Sequence, residues 1–129
     1  MRQGRPFDDK ELLSRTFKFS EQIINLSRIL PKNEVNSPLI RQVVRSGTSI
    51  GSNYREACEA ESGRDFVHKI RISKKEARET RYWLRLLLTS NPSFAKKIIP
   101  LGRESVELLK IFASISSKFS RKNSKPKAN

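Results

Sequence analysis

The chain has 129 residues, and 27 Lys and Arg side chains against 13 Asp and Glu give it a formal net charge of +14 at pH 7. This length suffices for one domain with a hydrophobic core, and no apolar run reaches the roughly 18 residues of a membrane-spanning helix. One cysteine, Cys58, and one histidine, His68, exclude an intrachain disulfide, a zinc site built on cysteines and most metal-dependent or Ser-His-Asp chemistry. The polar stretch at residues 1–10 also lacks the apolar segment of a signal peptide. We therefore expect a small, basic, cytoplasmic protein without cofactor or metal, whose partner is an anion.

Proline residues separate the first two predicted helices. The first runs from about Asp9 to Leu30 and stops at Pro31, and the second begins with Ser37 as N-cap and Pro38 at the first helical position. The apolar face predicted for the first helix, at spacings of three, four or seven, comprises Leu13, Phe17, Ile23, Ile24 and Leu30. The corresponding face of the second helix comprises Ile40, Val43, Val44, Gly47, Ile50, Tyr54, Ala57 and Cys58.

Two further helices complete the predicted fold. The third begins after Gly63, with Ser62 and Asp65 at the spacing of a capping pair, and runs to about Thr89. Residues 94–99 are ambiguous, and the fourth helix is predicted to begin at Pro100. Its apolar positions are Leu101, Leu108, Phe112, Ile115 and Phe119. Since no segment alternates like a strand, we predict an all-α, up-down antiparallel four-helix bundle over residues 1–119 and a disordered basic tail over residues 120–129.

The third helix is predicted to be apolar on two opposed faces. Its core face comprises Phe66, Ile70, Ala77, Leu84 and Leu88. On nearly the opposite side lies a second group, accompanied by Glu76 and Glu79, which we call the apolar strip: Ile72, Trp83 and Leu86. A simple four-helix monomer cannot bury both faces, so the strip predicts self-association. The alternative is that Trp83 covers the edge of the core.

A row of cations lies between these two faces, and we call it the basic stripe: Arg71, Lys74, Arg78, Arg81 and Arg85. The spacings of three and four residues form one row along about four turns, in which like charges repel unless an anion compensates. Phosphates of a nucleic acid would supply that compensation, helped by four cations of the tail: Arg121, Lys122, Lys125 and Lys127. The alternative is that acids at the end of the second helix neutralise part of the row: Glu56, Glu59 and Glu61.

Other candidate residues favour structure over chemistry. Gly47 and Gly51 stand four residues apart, which is typical of closely packed helices; no phosphate-loop motif or preceding strand accompanies them. Asn53 could join a hydrogen-bond network in the bundle, and His68 is expected to be interfacial or exposed. Cys58 is expected to pack as a small hydrophobe, and Glu76 and Glu79 are expected to form salt bridges. We identify no catalytic residues and expect no enzymatic activity.

Residues 39–57 (LIRQVVRSGTSIGSNYREA), 65–70 (DFVHKI) and 75–84 (KEARETRYWL) together resemble the signature of the bacterial "four helix bundle protein" family, whose founding members are encoded by intervening sequences in large-subunit ribosomal RNA genes. The resemblance implies an up-down bundle that assembles into a ring-like homopentamer. Relatives include the accessory protein of diversity-generating retroelements, which binds nucleic acid and partners a reverse transcriptase. The family offers no catalytic residues to carry over.

We therefore predict an oligomeric helical bundle, without enzymatic activity, that binds RNA or DNA non-specifically through the basic stripe and the tail. The alternatives are an adaptor whose basic face docks an acidic protein such as a reverse transcriptase, and a purely structural ring. Nucleic-acid binding that weakens as salt rises would support phosphate contacts. A pull-down that recovers protein but no nucleic acid would favour the adaptor, and a charge reversal of the stripe that affects no binding would favour the structural ring.

Overall fold

Four long helices make up the described part of the chain. The computed structural model describes residues 9–124, with side chains to residue 119. The helices are α1 (Asp9–Ile29), α2 (Asn36–Cys58), α3 (Gly63–Ser90) and α4 (Ala95–Ser124), and a 3-10 turn (Pro92–Phe94) joins α3 to α4. Strands are absent from residues 9–124, and the fold is the predicted all-α four-helix bundle. None of the helices in that span is long and apolar enough to cross a membrane.

The helices pack in chain order, and α3 is the central element. It has extensive contacts with both α2 and α4, whereas α1 packs mainly on α2 and has a smaller contact with α4. Gly47 allows the close approach of α1 and α2, since an added Cβ would lie 2.9 Å from Cγ1 of Ile23. An added Cβ at Gly51 would likewise lie 3.2 Å from the Thr16 side chain. These distances confirm the predicted packing role of both glycines.

The core face of α1 differs from the predicted one. Phe17 is 65% exposed and Ile24 is 36% exposed, so their assignment to the core is wrong. The buried face of α1 comprises Leu12, Thr16, Phe19, Ile23 and Leu26. Thr16 is tolerated there because its hydroxyl donates to the carbonyl of Leu12 at 2.9 Å, and the glycines of α2 leave space for this register.

The start of α2 also differs from the prediction. The helix begins at Asn36, with Val35 at the N-cap position, so neither Ser37 nor Pro38 has its expected place. The side chain of Asn33 provides the cap instead, and its Oδ1 accepts hydrogen bonds from the backbone N–H of Val35 at 3.1 Å and of Asn36 at 2.8 Å. At the start of α3 the predicted cap is confirmed, because Ser62 Oγ accepts from the backbone N–H of Asp65 at 3.1 Å.

The α4 helix is longer at both ends than predicted. It begins at Ala95 and contains Pro100 in its interior; at the sixth helical position, proline removes one backbone hydrogen bond just beyond the first turn. The helix then continues to Ser124, so the prediction of disorder is wrong for residues 120–124. Basic residues at a helix C-terminus interact favourably with its dipole, which favours this extension. The remaining predicted tail, residues 125–129, lies outside the described residues.

A buried amide cluster joins the ends of α2 and α3 to the loop after α1. The Nδ2 group of Asn36 donates to the carbonyl of Pro31 and to Oδ1 of Asn91, each at 2.8 Å. Its Oδ1 accepts from Asn91 Nδ2 at 3.0 Å and from Ser90 Oγ at 2.8 Å. Since both asparagines are buried, these bonds satisfy their amides and fix where the two helices meet.

Candidate nucleic-acid interface

The basic stripe lies on the solvent side of α3, along the flank that faces α4. Arg71, Arg78, Arg81 and Arg85 are exposed, and Lys74 is half-buried. Arg81 and Arg85 also reach the boundary with α4, where they line a groove together with Arg103. The structure therefore widens the stripe into a two-helix surface, to which α4 adds a cation that the sequence analysis missed.

The carboxylates near α3 are paired away from most of the stripe. Arg45 of α2 forms salt bridges with Glu76, at 3.2 Å, and with Glu79, which confirms the predicted ion-pair role of both acids. Glu56 pairs with Lys69 at 2.8 Å, and Lys69 is not part of the stripe. Across residues 9–119, no ion pair connects Lys74, Arg78, Arg81 or Arg85 to a carboxylate. Four of the five stripe cations therefore lack an intramolecular counterion in that span.

The ion pairs shift the pKa values of the groups that form them. Burial by itself would raise the pKa of Glu79, but hydrogen bonds from Arg45 and Trp83, with the attraction of the Arg45 charge, outweigh burial and lower it. The hydrogen bond with Glu79 raises the pKa of Arg45 despite its partial desolvation. Both shifts stabilise the charged forms of Arg45 and Glu79. The pair lies on the flank of α3 that faces α2, because Arg45 belongs to α2.

The apolar strip lies beside α2 and is half-buried. Trp83 packs against the edge of the hydrophobic core, and its Nε1 donates to Oε1 of Glu79 at 3.3 Å. This position matches the alternative in which Trp83 covers the core. Ile72 and Leu86 are half-buried as well, and Tyr82, at 56% exposed, stacks edge-on against Trp83 with ring centroids 5.0 Å apart. The role of the strip as an oligomer interface stays a prediction.

The family to which the chain belongs follows from a comparison of its sequence with known protein families. The model of the family described as "23S rRNA-intervening sequence protein" matches residues 8–114. The chain belongs to this family.

A solved relative of the intervening-sequence protein family supports the fold. It is described as a protein with unknown function from the S23 ribosomal protein family of Bacteroides thetaiotaomicron, and it is 37% identical to the chain. The match covers 81% of the chain and 96% of the relative, with a TM-score of 0.71. No curated protein matches the chain. Membership confirms the resemblance noted in residues 39–84, and it assigns no chemistry to them.

Three other candidate residues from the sequence, Asn53, His68 and Cys58, can now be placed in the fold. The Nδ2 group of Asn53 donates to the carbonyl of Ser49 in its own helix at 2.8 Å, so the buried polar network forms at Asn36 and Asn91 instead. His68 is exposed and Cys58 is buried. Within the described span, no three His, Cys, Asp or Glu side chains come together as metal ligands.

Some predicted nucleic-acid contacts lie beyond what the structure describes. Arg121 and Lys122 belong to the last turns of α4, while Lys125 and Lys127 lie outside the described residues. Arg103 escaped the sequence analysis because it is an isolated cation within α4. A helical projection of α4 combined with that of α3 was the signal that could have found it.

Proposed function

We propose that this member of the intervening-sequence protein family binds nucleic acid without sequence specificity, through phosphate contacts from the basic stripe and Arg103. The observation that carries the proposal is that four cations of the stripe have no carboxylate partner within residues 9–119: Lys74, Arg78, Arg81 and Arg85. A polyanion relieves their mutual repulsion and gains free energy from released counterions.

The dimensions of the stripe suit a run of phosphates. The 14 residue steps from Arg71 to Arg85 extend about 21 Å along the helix axis at roughly 1.5 Å per residue. This length corresponds to about six base-pair steps of a duplex at roughly 3.4 Å each. The exposed aromatic side chain next to the stripe, Tyr82, contacts Trp83, and one ring does not form the platform of several aromatic side chains that reads unpaired bases. Its chemistry therefore favours backbone recognition over sequence readout.

The test is fluorescence anisotropy with a labelled RNA hairpin and a labelled DNA duplex of unrelated sequence. We expect both probes to bind, with affinity that falls steeply as salt rises from about 50 to about 300 mM. The variant R78Q/R81Q/R85Q should weaken binding at least tenfold and lower the slope of log affinity against log salt by up to about three. No binding at low salt, or binding that is independent of salt, would overturn the proposal.

A matched control separates the stripe from the overall charge. The variant K18Q/R28Q/R41Q removes three exposed cations from α1 and α2, and like the stripe variant it lowers the formal net charge from +14 to +11. We expect it to weaken binding no more than about threefold, through the long-range field alone. Equal losses in both triple variants would show that net charge, and not the stripe, attracts the nucleic acid.

We also propose that the protein is a homo-oligomer, with the apolar strip at or near the contact between subunits; the resemblance implies five subunits. The support is that Ile72 and Leu86 stay half-buried in the single chain and that Tyr82 beside them is 56% exposed. Sedimentation velocity should show an assembly for the wild type and smaller species for L86K or Y82K. A wild type that is monomeric at micromolar concentration would contradict this proposal.

A further inference from the structure

A groove separates the C-terminal half of α3 from the first turns of α4. Its volume is about 270 Å³. The lining side chains are aliphatic or are arginines, with one glycine among them: Arg81, Leu84, Arg85, Leu88, Ile98, Ile99, Gly102, Arg103 and Val106.

The groove combines an apolar floor with a cationic rim. Leu84 and Ile98 belong to the buried core, whereas Ile99 is 38% exposed at the open side. The three rim arginines are exposed, and among residues 9–119 none of them has an ion-pair partner. No Asp or Glu lines the groove. The surface therefore complements a molecule that is apolar at one end and negative at the other.

Gly102 keeps this groove open. A Cβ added at Gly47 or Gly51 would press on α1, but one added at Gly102 meets no atom within 4 Å. Close helix packing therefore does not account for Gly102, although glycine inside a helix is less favourable than alanine by about 1 kcal/mol. The empty position adds free volume to the groove wall at the level of the rim arginines.

We propose that the groove binds an amphipathic small-molecule anion, with an aliphatic body on Leu84, Leu88 and Ile98 and one carboxylate or phosphate head held by Arg81, Arg85 and Arg103. A cavity of roughly 150 Å³ holds benzene, so this groove accommodates a body of about eight to ten carbon atoms. An aliphatic body fits better than a nucleobase, because the floor offers no partner for the polar edges of a base. This site differs from the phosphate contacts proposed above by its apolar floor, although it shares its three arginines with them.

The experiment is an NMR titration of the ¹⁵N-labelled full chain with octanoate. We expect saturable shifts of amides in α3 and α4 around Leu88 and Gly102, with a dissociation constant in the range of about 0.1 to 5 mM for so small a ligand. Affinity should rise about two- to fourfold for each added methylene from hexanoate to decanoate. Octanol, which lacks the charge, and acetate, which lacks the body, should each bind at least tenfold more weakly.

Two variants locate the site. G102L fills the groove and should weaken octanoate binding at least tenfold. It keeps every cation, so nucleic-acid binding should stay within about twofold of the wild type. G102A is a milder substitution for use if the leucine side chain reduces folding. R81Q/R85Q/R103Q should remove the preference for octanoate over octanol, whereas K18Q/R28Q/R41Q should preserve it.

Several results would overturn the proposal. They are unsaturable shifts spread over all the basic residues, octanoate binding that G102L leaves unchanged, and binding of an acidic helical peptide at this groove without binding of octanoate. Because the nucleic-acid assay uses separate probes and G102L keeps the stripe, failure of the groove and failure of the nucleic-acid proposal are distinguishable.

Discussion

Gly47 and Gly102 both lie inside helices, but their surroundings differ. At Gly47 an added Cβ would come within 2.9 Å of Ile23, a contact that forces the α1–α2 interface to shift, whereas at Gly102 it would meet open space. We expect G47A to lower the free energy of unfolding by about 1–3 kcal/mol through overpacking, and G102A to raise it by about 0.5–1 kcal/mol through helix propensity. Urea denaturation of both variants measures these two changes in the free energy of unfolding. Equal effects of the two substitutions would refute this account of close packing.

The hydrogen bonds of Glu79 predict a pH-dependent contribution to stability. Because they lower the folded-state pKa below its usual value despite burial, the contribution is present above the unfolded pKa of about 4.5 and is lost as pH falls through the folded value. E79Q should lower the free energy of unfolding by about 0.5–1 kcal/mol at pH 7. The effect is small because Arg45 is exposed, so solvent screens its attraction for Glu79. The difference from wild type should shrink as pH falls below about 4.5 and vanish once pH is below the lowered folded-state pKa of Glu79.

Denaturation at a series of pH values tests this dependence. E21Q is a control with the same change of charge, since Glu21 is exposed and has no ion pair among residues 9–119. Its effect should stay within about 0.5 kcal/mol across the series. An E79Q effect that persists undiminished at low pH would show that packing, and not charge, is the source of its contribution.

At the scale of elements, the amide pair of Asn36 and Asn91 connects α2, α3 and the loop after α1. N36A would leave the buried amide of Asn91 with part of its hydrogen bonding unmet, so we expect a loss of about 2–3 kcal/mol in the free energy of unfolding. N25A, at an exposed position of α1, should change it by less than about 0.5 kcal/mol. Thermal denaturation of both variants measures the contrast, and a loss for N36A no larger than that for N25A would contradict the buried network.

Helix boundaries were predictable where a local signal sets them. The Ser62 side chain caps α3 as its spacing indicates, and the end of α1 at Ile29 follows from Pro31. The register of α1 was not predictable, because Phe17 and Phe19 both fit a helical period. The packing of Thr16 and Ile23 against the glycines of α2 selects the face that contains Phe19. Pro100 misled the assignment of α4, because it lies at the sixth helical position, where it removes one backbone hydrogen bond, and not at the first position.

At the scale of the whole molecule, the sequence predicted the basic stripe but not the groove beside it. A periodic row on one helix is visible in the chain, whereas the groove needs side chains of α3 and α4 that are separated by the turn between them. Arg103 and Gly102 have no distinctive neighbours in the sequence. Their significance arises only when α4 packs against α3.

The net charge of +14 predicts that stability rises with salt. Repulsion among the stripe cations opposes the folded state and is screened as the Debye length falls from about 20 Å to about 7 Å between roughly 20 and 200 mM NaCl. We expect the melting temperature of the wild type to rise over this range, and R78Q/R81Q/R85Q to reduce that rise more than K18Q/R28Q/R41Q does. Melting temperatures of the three proteins in a salt series test this, and a melting temperature that falls with salt would contradict it.

The limited contact between α1 and α4 has a consequence for how the folded chain opens. Arg15 bridges the two helices through paired bonds to Glu104 at 2.7 and 2.8 Å, but α1 otherwise packs mainly on α2. Partial unfolding that detaches α1 therefore breaks fewer contacts than removal of α3, so backbone amides of α1 should exchange with deuterium earlier than those of α3. Detachment of α1 would also uncover the surface of α2 around Gly47 and Gly51, and the first helix of a second chain would find its own binding surface there.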